Sequence, residues 1–353
     1  MEIHQPTFEH LLEVCIRNGS VQSRRSWERY GRDLYDFFCF TEANAYDWKA
    51  SMPKGMPSLL EIYRDWSLEE CKLSDTTVNQ RVRTVQRFYA WAVEQNYMTR
   101  VPWNTRAIRL RESENFFAHL GEGQRVVQST SVLLRALKKP IKFLTLAQCA
   151  ECIKATPNVT HRLLFRLALQ TGIRSEELQT FPEKYVFNPK DRSDLRTQHK
   201  VRVHLDPMDM KLKGNRARSI DVPLELMADL WQYTVLDRPR LARAAGKPSP
   251  KLFLTEMGGQ FTKYSIQNVF ATIRRKVRFH VSCHMLRHTY ATYTLHGLRE
   301  AEFAGEPLMY VRDRLGHSSV KTTEIYLHLL NQISADLVLS HDREIDAIFA
   351  KVT

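Results

Sequence analysis

Apolar residues recur at helical spacing along most of this chain, and the period switches to strict alternation in one segment only. Between residues 201 and 222, apolar residues alternate with polar ones, and Gly214-Asn215 lies inside that segment. Alternation of this kind indicates a β-strand, and a glycine-containing pair between two such runs indicates a turn. We therefore expect a strand over 201–212, a tight turn at Gly214-Asn215 and a return strand over 216–222. The fold class predicted is mainly α with a small β-hairpin.

The helical pattern divides into two domains. Residues 1–105 predict a helical domain, in which a helix from about Asp75 carries an apolar stripe. Residues 106–142 mix basic residues, glycines and a proline without sustained periodicity, which predicts a basic linker. Residues 143–330 predict a second domain that opens at Thr145, where the spacing to Gln148 matches a capping box. Residues 331–353 have helical spacing and predict a tail helix.

The charge balance favours a polyanionic partner. Lys and Arg total 52 against 39 Asp and Glu, which gives a formal net charge of +13 and an isoelectric point near 9.5. No apolar run approaches the length of a membrane span, and the N-terminus lacks a secretory pattern, so we expect a cytoplasmic protein without a membrane partner. The six scattered cysteines are expected to be reduced thiols.

Clustered arginines in the first domain suggest where a polyanion binds. Such clusters can contact phosphates without reading sequence, although they can equally form a solvated basic face. We expect DNA contacts from the basic residues Arg24, Arg25, Arg81, Arg83, Arg87 and Arg216.

The second domain carries a set of residues suited to attack on a phosphate. Arg174 follows a glycine turn, with Glu177 three residues later, and Lys213 precedes Gly214. His284 and Arg287 share one helical face, and Gly316-His317 comes nine residues before Tyr326. Guanidiniums can hold phosphate oxygens while a phenol, an otherwise weak nucleophile, is activated. Taken singly, each residue has an ordinary structural explanation, such as a surface ion pair, a turn lysine or a core tyrosine.

Together, the ordered motifs TGIRSEEL, KLKGN, HMLRH, LGHSS and IY resemble those of the tyrosine recombinase (phage integrase) family. The resemblance covers about residues 143–330, and the preceding helical domain resembles the family's core-binding domain. It implies a site-specific DNA recombinase whose two domains form a clamp around double-stranded DNA. It also implies a 3′-phosphotyrosyl intermediate, with no metal, ATP or other cofactor.

The resemblance further implies a role for each matched residue. Arg174 and Arg287 bind the scissile phosphate, Lys213 protonates the leaving oxygen, His284 and His317 assist, Tyr326 is the nucleophile and Glu177 supports the site. From the chemistry, His284 is our first choice for the base that takes the phenolic proton. The expected assembly is a homotetramer on two DNA sites, with DNA-bending accessory proteins as further partners and the tail docking on a neighbouring subunit.

Several alternatives stay open at this point. His284 and His288 are four apart, with His280 nearby, which is a spacing that can bind zinc, and Cys149 and Cys152 form a CxxC pair. A DNA-binding regulator without chemistry and a type IB topoisomerase-like relaxing enzyme are the other candidates. The segment 297–307 and the linker are longer than usual for the family, so the sequence leaves the subfamily, the target site and the direction of reaction undetermined.

Overall fold

The computed structural model describes residues 4–19, 21, 23–50, 53, 55–103, 105–109, 126–130, 132–135, 141–246 and 248–330. The chain divides into two units, residues 1–139 and residues 140–353. Each unit has its own hydrophobic core, and each is described by itself below.

Unit 1 is built from four α-helices around an aromatic core. The first helix continues directly into a π-helical turn over Glu13–Arg17. Ser58 begins the third helix through a capping box, because its hydroxyl accepts from the Glu61 N–H at 3.3 Å while the Glu61 carboxylate accepts from the Ser58 N–H at 2.7 Å. The helices are α1 (Gln5–Leu12), α2 (Arg24–Ala43), α3 (Leu59–Glu69) and α4 (Asp75–Glu94).

The stripe predicted on the helix from Asp75 is confirmed. Val78, Val82, Val85 and Phe88 of α4 are fully buried. Their three-and-four spacing places them on one side of the helix, and they pack against aromatic residues of α2 and α3 such as Phe37 and Tyr63. The same helix carries arginines on its other faces, so one segment supplies both a core and a basic surface.

The region read from sequence as an unstructured linker contains a two-stranded ladder that we did not predict. Strand β1 (Thr105–Arg109) pairs antiparallel with β2 (Val126–Thr130), with Ala107 opposite Gln128. The remainder of the predicted linker lies largely outside the described residues, as does the predicted tail helix over 331–353.

Unit 2 is centred on one buried helix. Helix α6 buries every residue from Leu163 to Thr171, and it packs against helices on several sides. The capping box predicted at Thr145 is confirmed, because Thr145 and Gln148 exchange hydrogen bonds of 3.0 and 3.2 Å. The helices are α5 (Leu146–Lys154), α6 (Val159–Thr171), α7 (Ser175–Thr180), α8 (Leu224–Val235), α9 (Asp237–Ala245), α10 (Lys263–Lys276), α11 (Cys283–Glu300), α12 (Pro307–Leu315), α13 (Lys321–Glu324) and α14 (Leu327–Leu330).

The hairpin in unit 2 exists, but its strands are shorter than predicted. Strand β3 (Lys200–Leu205) pairs antiparallel with β4 (Arg218–Pro223), and Leu205 lies opposite Arg218. Residues 206–217 therefore form a long connection rather than a tight turn, with a 3₁₀ turn at Lys213–Asn215. The expected strand over 208–212 is wrong: Met208 is 90% exposed whereas Met210 is buried, although a strand would put both on one face.

Within the described part of the chain, we find no helix with the length and apolar character needed to span a bilayer. The segment 297–307, which looked like an insertion, begins as the last turn of α11 and ends at the first residue of α12.

Candidate active site

The site lies where the C-terminal ends of α6 and α12 meet the first turns of α7 and α11. Both α6 and α12 end at a glycine in the left-handed conformation, Gly172 with φ 62° and Gly316 with φ 63°. The carbonyl groups at these helix ends carry partial negative charge. They point toward arginines that arrive from elsewhere in the chain.

Arg174 connects α7 to the end of α12. Its backbone N–H donates to a Glu177 carboxylate oxygen at 2.8 Å, and its guanidinium donates to the other Glu177 oxygen at 3.0 Å. A second guanidinium nitrogen donates to the Gly316 carbonyl at 2.9 Å. The side chain is about one-fifth exposed, at 22%. Arg174 is therefore held in place while part of its fork still faces outward.

Arg287 is the more deeply buried guanidinium. From α11 it donates to the Gly172 carbonyl at 2.7 Å and to the Leu315 carbonyl at 2.6 Å. Burial, together with the neighbouring Arg174 and Arg218, lowers its pKa to about 9, so it is still a cation at pH 7. A buried cation bonded to carbonyls attracts a bound anion strongly, because little water screens it.

Glu177 and Arg218 form an ion pair beneath these two arginines. Arg218, on β4, donates to Glu177 at 2.5 Å and to the Arg314 carbonyl at the end of α12. Burial favours a raised pKa for Glu177, but the charges of Arg218 and Arg174 outweigh it and hold the pKa below its ordinary value. Glu177 is therefore ionised at neutral pH and aligns two guanidiniums at once.

Gly316 lies so close to this pair that a side chain would not fit. A Cβ atom added there would be 2.5 Å from Cδ of Arg218 and 3.6 Å from a guanidinium nitrogen of Arg174. The chain turns sharply here and presents His317 to the site.

His317 faces the site as a neutral imidazole. Its Nδ1 lies 3.0 Å from the hydroxyl of buried Thr323. Burial and the three guanidiniums of Arg287, Arg174 and Arg218 lower its pKa to about 3. A neutral imidazole carries one N–H, so His317 can donate a hydrogen bond to a phosphate oxygen when Nδ1 accepts from Thr323.

Tyr326 lies at the break between α13 and α14. Its side chain is 1% exposed, and its ring is parallel to that of His317 at 6.4 Å between centroids. Burial raises its pKa to about 12, against the opposing effect of Arg287 and Arg174. At the start of α13, the Ser319 hydroxyl accepts from the Lys321 N–H at 3.2 Å, and Val320 is the N-cap residue.

One histidine of α11 lies beside Tyr326, and a second lies beside that histidine. His288 Nδ1 lies 3.0 Å from the Tyr326 hydroxyl, while His284 is exposed and its ring contacts that of His288 at 4.3 Å between centroids. Burial, with Arg287 and Arg174, lowers the pKa of His284. The imidazole that contacts the phenol is thus His288, which the motif analysis considered only as a zinc ligand.

The remaining predicted residues lie apart from this cluster. Lys213 is exposed in its 3₁₀ turn, and within the described residues no hydrogen bond or ion pair joins it to the arginines or to Tyr326. Arg216 is also exposed.

The five predicted phosphate contacts of unit 1 lie on α2 and α4. Arg81 is half-buried and forms an ion pair with Asp36, and Arg87 donates to the Tyr30 hydroxyl. The exposed members of the set are Arg24, Arg25, Arg83 and Arg87.

Sequence reasoning missed Arg218, although its position held a signal. Arg218 shares the alternating pattern with Ile220 and Val222, whose side chains are fully buried. A charged residue at an inward-facing position of a strand needs a buried partner of opposite charge. The pattern was visible in the sequence, but the partner, Glu177, is 41 residues away.

The zinc alternative finds no support in the arrangement of side chains. Among the residues that the structure describes, no group of three or more His, Cys, Asp or Glu could hold a metal ion. Cys149 and Cys152 are both buried in the core of unit 2 as free thiols.

A comparison with protein-family models decides which family this is. The model described as the phage integrase family matches residues 142–332, which is more than half of the chain. The chain belongs to the phage integrase family. The matched range contains every residue of the cluster described above.

Individual relatives of this phage integrase family member include a tyrosine recombinase and a transposase. The chain is 33% identical over 141 residues to the tyrosine recombinase XerD of Mycobacterium tuberculosis, which covers 38% of the chain and 43% of that relative. It is 26% identical over 268 residues to transposase A from transposon Tn554 of Staphylococcus aureus, which covers 73% of the chain and 67% of the relative. The chain thus spans less than half the length of the first of these relatives.

A solved structure also shares the fold. The XerH site-specific recombinase, crystallised bound to its palindromic difH substrate, matches with a TM-score of 0.56 at 17% identity, over 94% of this chain and 87% of that one. The mainly helical fold with a small sheet is therefore that of a recombinase, as the sequence predicted.

Proposed function

We propose that this protein is a site-specific DNA recombinase that breaks and rejoins DNA strands through a covalent bond between Tyr326 and a 3′ phosphate. The observation that carries the proposal is the convergence on Tyr326 of Arg174 at the start of α7, of Arg287 and His288 on α11, and of His317 after α12. Two cations, Arg174 and Arg287, lie near enough to oppose the burial-driven rise of the Tyr326 pKa.

In the proposed reaction, the guanidiniums of Arg174 and Arg287 hold the non-bridging oxygens of the scissile phosphate, and His317 donates a further hydrogen bond. The Tyr326 oxygen attacks phosphorus as the bond to the 5′ oxygen breaks, and Lys213 protonates that oxygen. Negative charge that develops on the phosphate is met by donors already fixed to helix-end carbonyls and to Glu177. Such preorganised stabilisation is usually the largest catalytic contribution.

The phosphotyrosyl bond stores the energy of the broken linkage, so a 5′ hydroxyl from another duplex can reverse the step and join new partners. No external energy source enters this scheme. We propose that the partner is a double-stranded recombination site and that the protein acts as a homotetramer on two such sites, with DNA-bending proteins assisting. The XerH structure, solved on its own substrate, supports a DNA partner.

The biological setting that we propose is recombination of a mobile element. The likeness to the Tn554 transposase, 26% identity over 73% of the chain, supports this setting. Inverted repeats or a tRNA-gene junction in the DNA beside the gene would support a mobile element. Their absence, together with action at a chromosomal dimer-resolution site, would contradict it.

The decisive experiment traps the covalent intermediate. Duplexes that carry the DNA flanking the gene, nicked so that the cleaved fragment diffuses away, are incubated with the protein in EDTA. We expect an SDS-resistant adduct at the 3′ phosphate that maps to Tyr326. Tyr326→Phe should bind the duplex normally and form no adduct.

Tyr233→Phe is the matched control, because Tyr233 is an equally buried tyrosine of unit 2 that lies outside the site. It should form the adduct at the wild-type rate. Binding without any adduct by the wild-type protein would identify a regulator instead, and relaxation of any supercoiled plasmid without a specific site would identify a topoisomerase.

A further inference from the structure

The hydroxyl of Tyr326 has a hydrogen-bond partner, and that partner is His288. Nδ1 of His288 lies 3.0 Å from the Tyr326 oxygen, and the two ring centroids are 5.7 Å apart. His288 comes from the second turn of α11, and Tyr326 from a segment 38 residues later in the chain. A hydrogen bond of this length is the geometry through which a base removes a proton.

We propose that His288 is the general base that takes the proton from Tyr326, and that His284 carries the proton onward to solvent. This inference rests on the proposed function and assigns the proton transfer within that same site. It also replaces His284 as the first base, since His284 is exposed and within the described residues has no hydrogen bond to Tyr326.

In the proposed step, one proton moves from Tyr326 to His288 while phosphorus exchanges one oxygen for another. The phenolic O–H bond breaks as the new O–P bond forms, and the proton goes to Nδ1 of His288, which therefore carries its own hydrogen on Nε2 beforehand. The bond from phosphorus to the 5′ oxygen breaks, and that oxygen receives a proton from Lys213. The resulting imidazolium of His288 then loses a proton through its contact with His284, whose ring lies 4.3 Å away at 67° and faces solvent. In the rejoining step, His284 and His288 return a proton to the Tyr326 oxygen.

The charges around His288 keep it neutral before DNA binds. It is surrounded by His284 and Arg287 on its own helix, by His317 beyond α12, and by the Tyr326 hydroxyl. Burial, with His284 and Arg287, lowers the pKa of His288 to about 4, so the ring is neutral at pH 7 and Nδ1 can accept a proton.

A bound phosphodiester changes this balance. Its negative charge offsets that of Arg287, which depresses the basicity of His288. DNA binding thus strengthens the base at the moment it is needed. Because the Tyr326 pKa is about 12 in the absence of DNA, the proton moves together with formation of the O–P bond rather than before it.

The first test compares His288→Asn with the wild-type protein in the adduct assay. Asparagine keeps a hydrogen-bonding atom near the position of Nδ1 but cannot take a proton. We expect cleavage to slow by about a hundredfold or more, the usual scale of a lost general base. The residual rate should rise steadily with pH, because hydroxide then removes the phenolic proton.

Rescue by a more acidic nucleophile separates proton removal from a merely structural role. Replacement of Tyr326 by a ring-fluorinated tyrosine, whose phenol ionises more readily, should restore much of the rate of His288→Asn. The same replacement should not rescue Arg287→Ala, which lacks a phosphate ligand rather than a base. A wild-type rate in His288→Asn, or a slow rate that fluorination leaves unchanged, would overturn the proposal.

A second measurement needs no change at His288. Nitrogen NMR of histidine-labelled protein should find Nδ1 of His288 unprotonated and Nε2 protonated, with the Nδ1 signal shifting in Tyr326→Phe. A proton on Nδ1 would rule out its role as acceptor. Failure of the proposed function looks different, since the wild-type protein itself would then form no adduct.

Discussion

Replacement of Gly316 by alanine tests whether the turn after α12 controls the arginine cluster. Gly316 has φ 63°, a conformation that costs an L-residue about 1–2 kcal/mol. The new methyl group would also lie 2.5 Å from Cδ of Arg218, so one of the two must move by about 1 Å to reach ordinary contact distance.

Arg218 has little freedom to move, because it is bonded at one end to Glu177 and at the other to the Arg314 carbonyl. Breaking a buried ion pair of this kind costs about 3–5 kcal/mol, and a partial displacement costs part of that. We therefore expect Gly316→Ala to lower the free energy of unfolding of unit 2 by about 3–5 kcal/mol in total. Adduct formation should fall at least about tenfold, since Arg174 lies beside the same methyl group.

Gly246→Ala is the matched control. Gly246 ends α9 with φ 62°, and a Cβ atom there would meet nothing within 4 Å. Gly246→Ala should lower the free energy of unfolding only by the conformational cost of about 1–2 kcal/mol, and it should keep full cleavage activity. Equilibrium urea unfolding and the adduct assay measure both variants. Equal losses of stability in the two, with cleavage intact in Gly316→Ala, would refute the packing argument.

Three further predictions follow from contacts of unit 2. Arg218→Met should lower the free energy of unfolding of unit 2 by about 3–5 kcal/mol, because it removes a partner of buried Glu177. Arg202 is 62% exposed in its pair with Asp221, so the control Arg202→Met should cost under about 1 kcal/mol. Urea unfolding measures both variants. Asp221 accepts from Tyr310 and Arg202, and these bonds outweigh its burial and lower its pKa. The stability that ionised Asp221 contributes is therefore present above its unfolded pKa of about 3.8 and is lost as pH falls through the lower folded pKa. The difference in unfolding free energy between wild type and Asp221→Asn should accordingly disappear on acidification. Lys213→Ala should regain cleavage on a duplex with a 5′-thio leaving group, which needs no proton, and a failure of that rescue would reassign the acid.

Local features of this fold could be predicted from sequence because they depend on neighbours in the chain. The α4 stripe and the Thr145 capping box both follow from residues within one or two turns of each other. The length of the hairpin could not, because the alternation of Met208, Met210 and Leu212 continues that of β3 without any strand to pair with it. The ladder of β1 and β2 also escaped prediction, since its residues do not alternate.

The same distinction between local pattern and tertiary packing applies to the candidate active site. The motifs identified Arg174, Arg287, His317 and Tyr326, and these residues do lie in one cluster. Sequence spacing places His284 and His288 on one face of α11, but it does not say which imidazole approaches a tyrosine 38 residues away from His288. Likewise, the burial of Arg218 depends on a carboxylate from another element, and such partners are set by tertiary packing rather than by local pattern.

The short helices on either side of Tyr326 affect how readily the phenol can move in the proposed reaction. The segment 321–330 consists of two four-residue helices with Tyr326 at the break between them. Helices this short have little cooperative stability of their own. In the proposed reaction, movement of Tyr326 toward a phosphate therefore rearranges one short segment, whereas Arg174 and Arg287 stay bonded to Glu177 and to helix-end carbonyls. We expect substitutions in this segment to change the rate of the proposed strand cleavage more than the affinity for DNA.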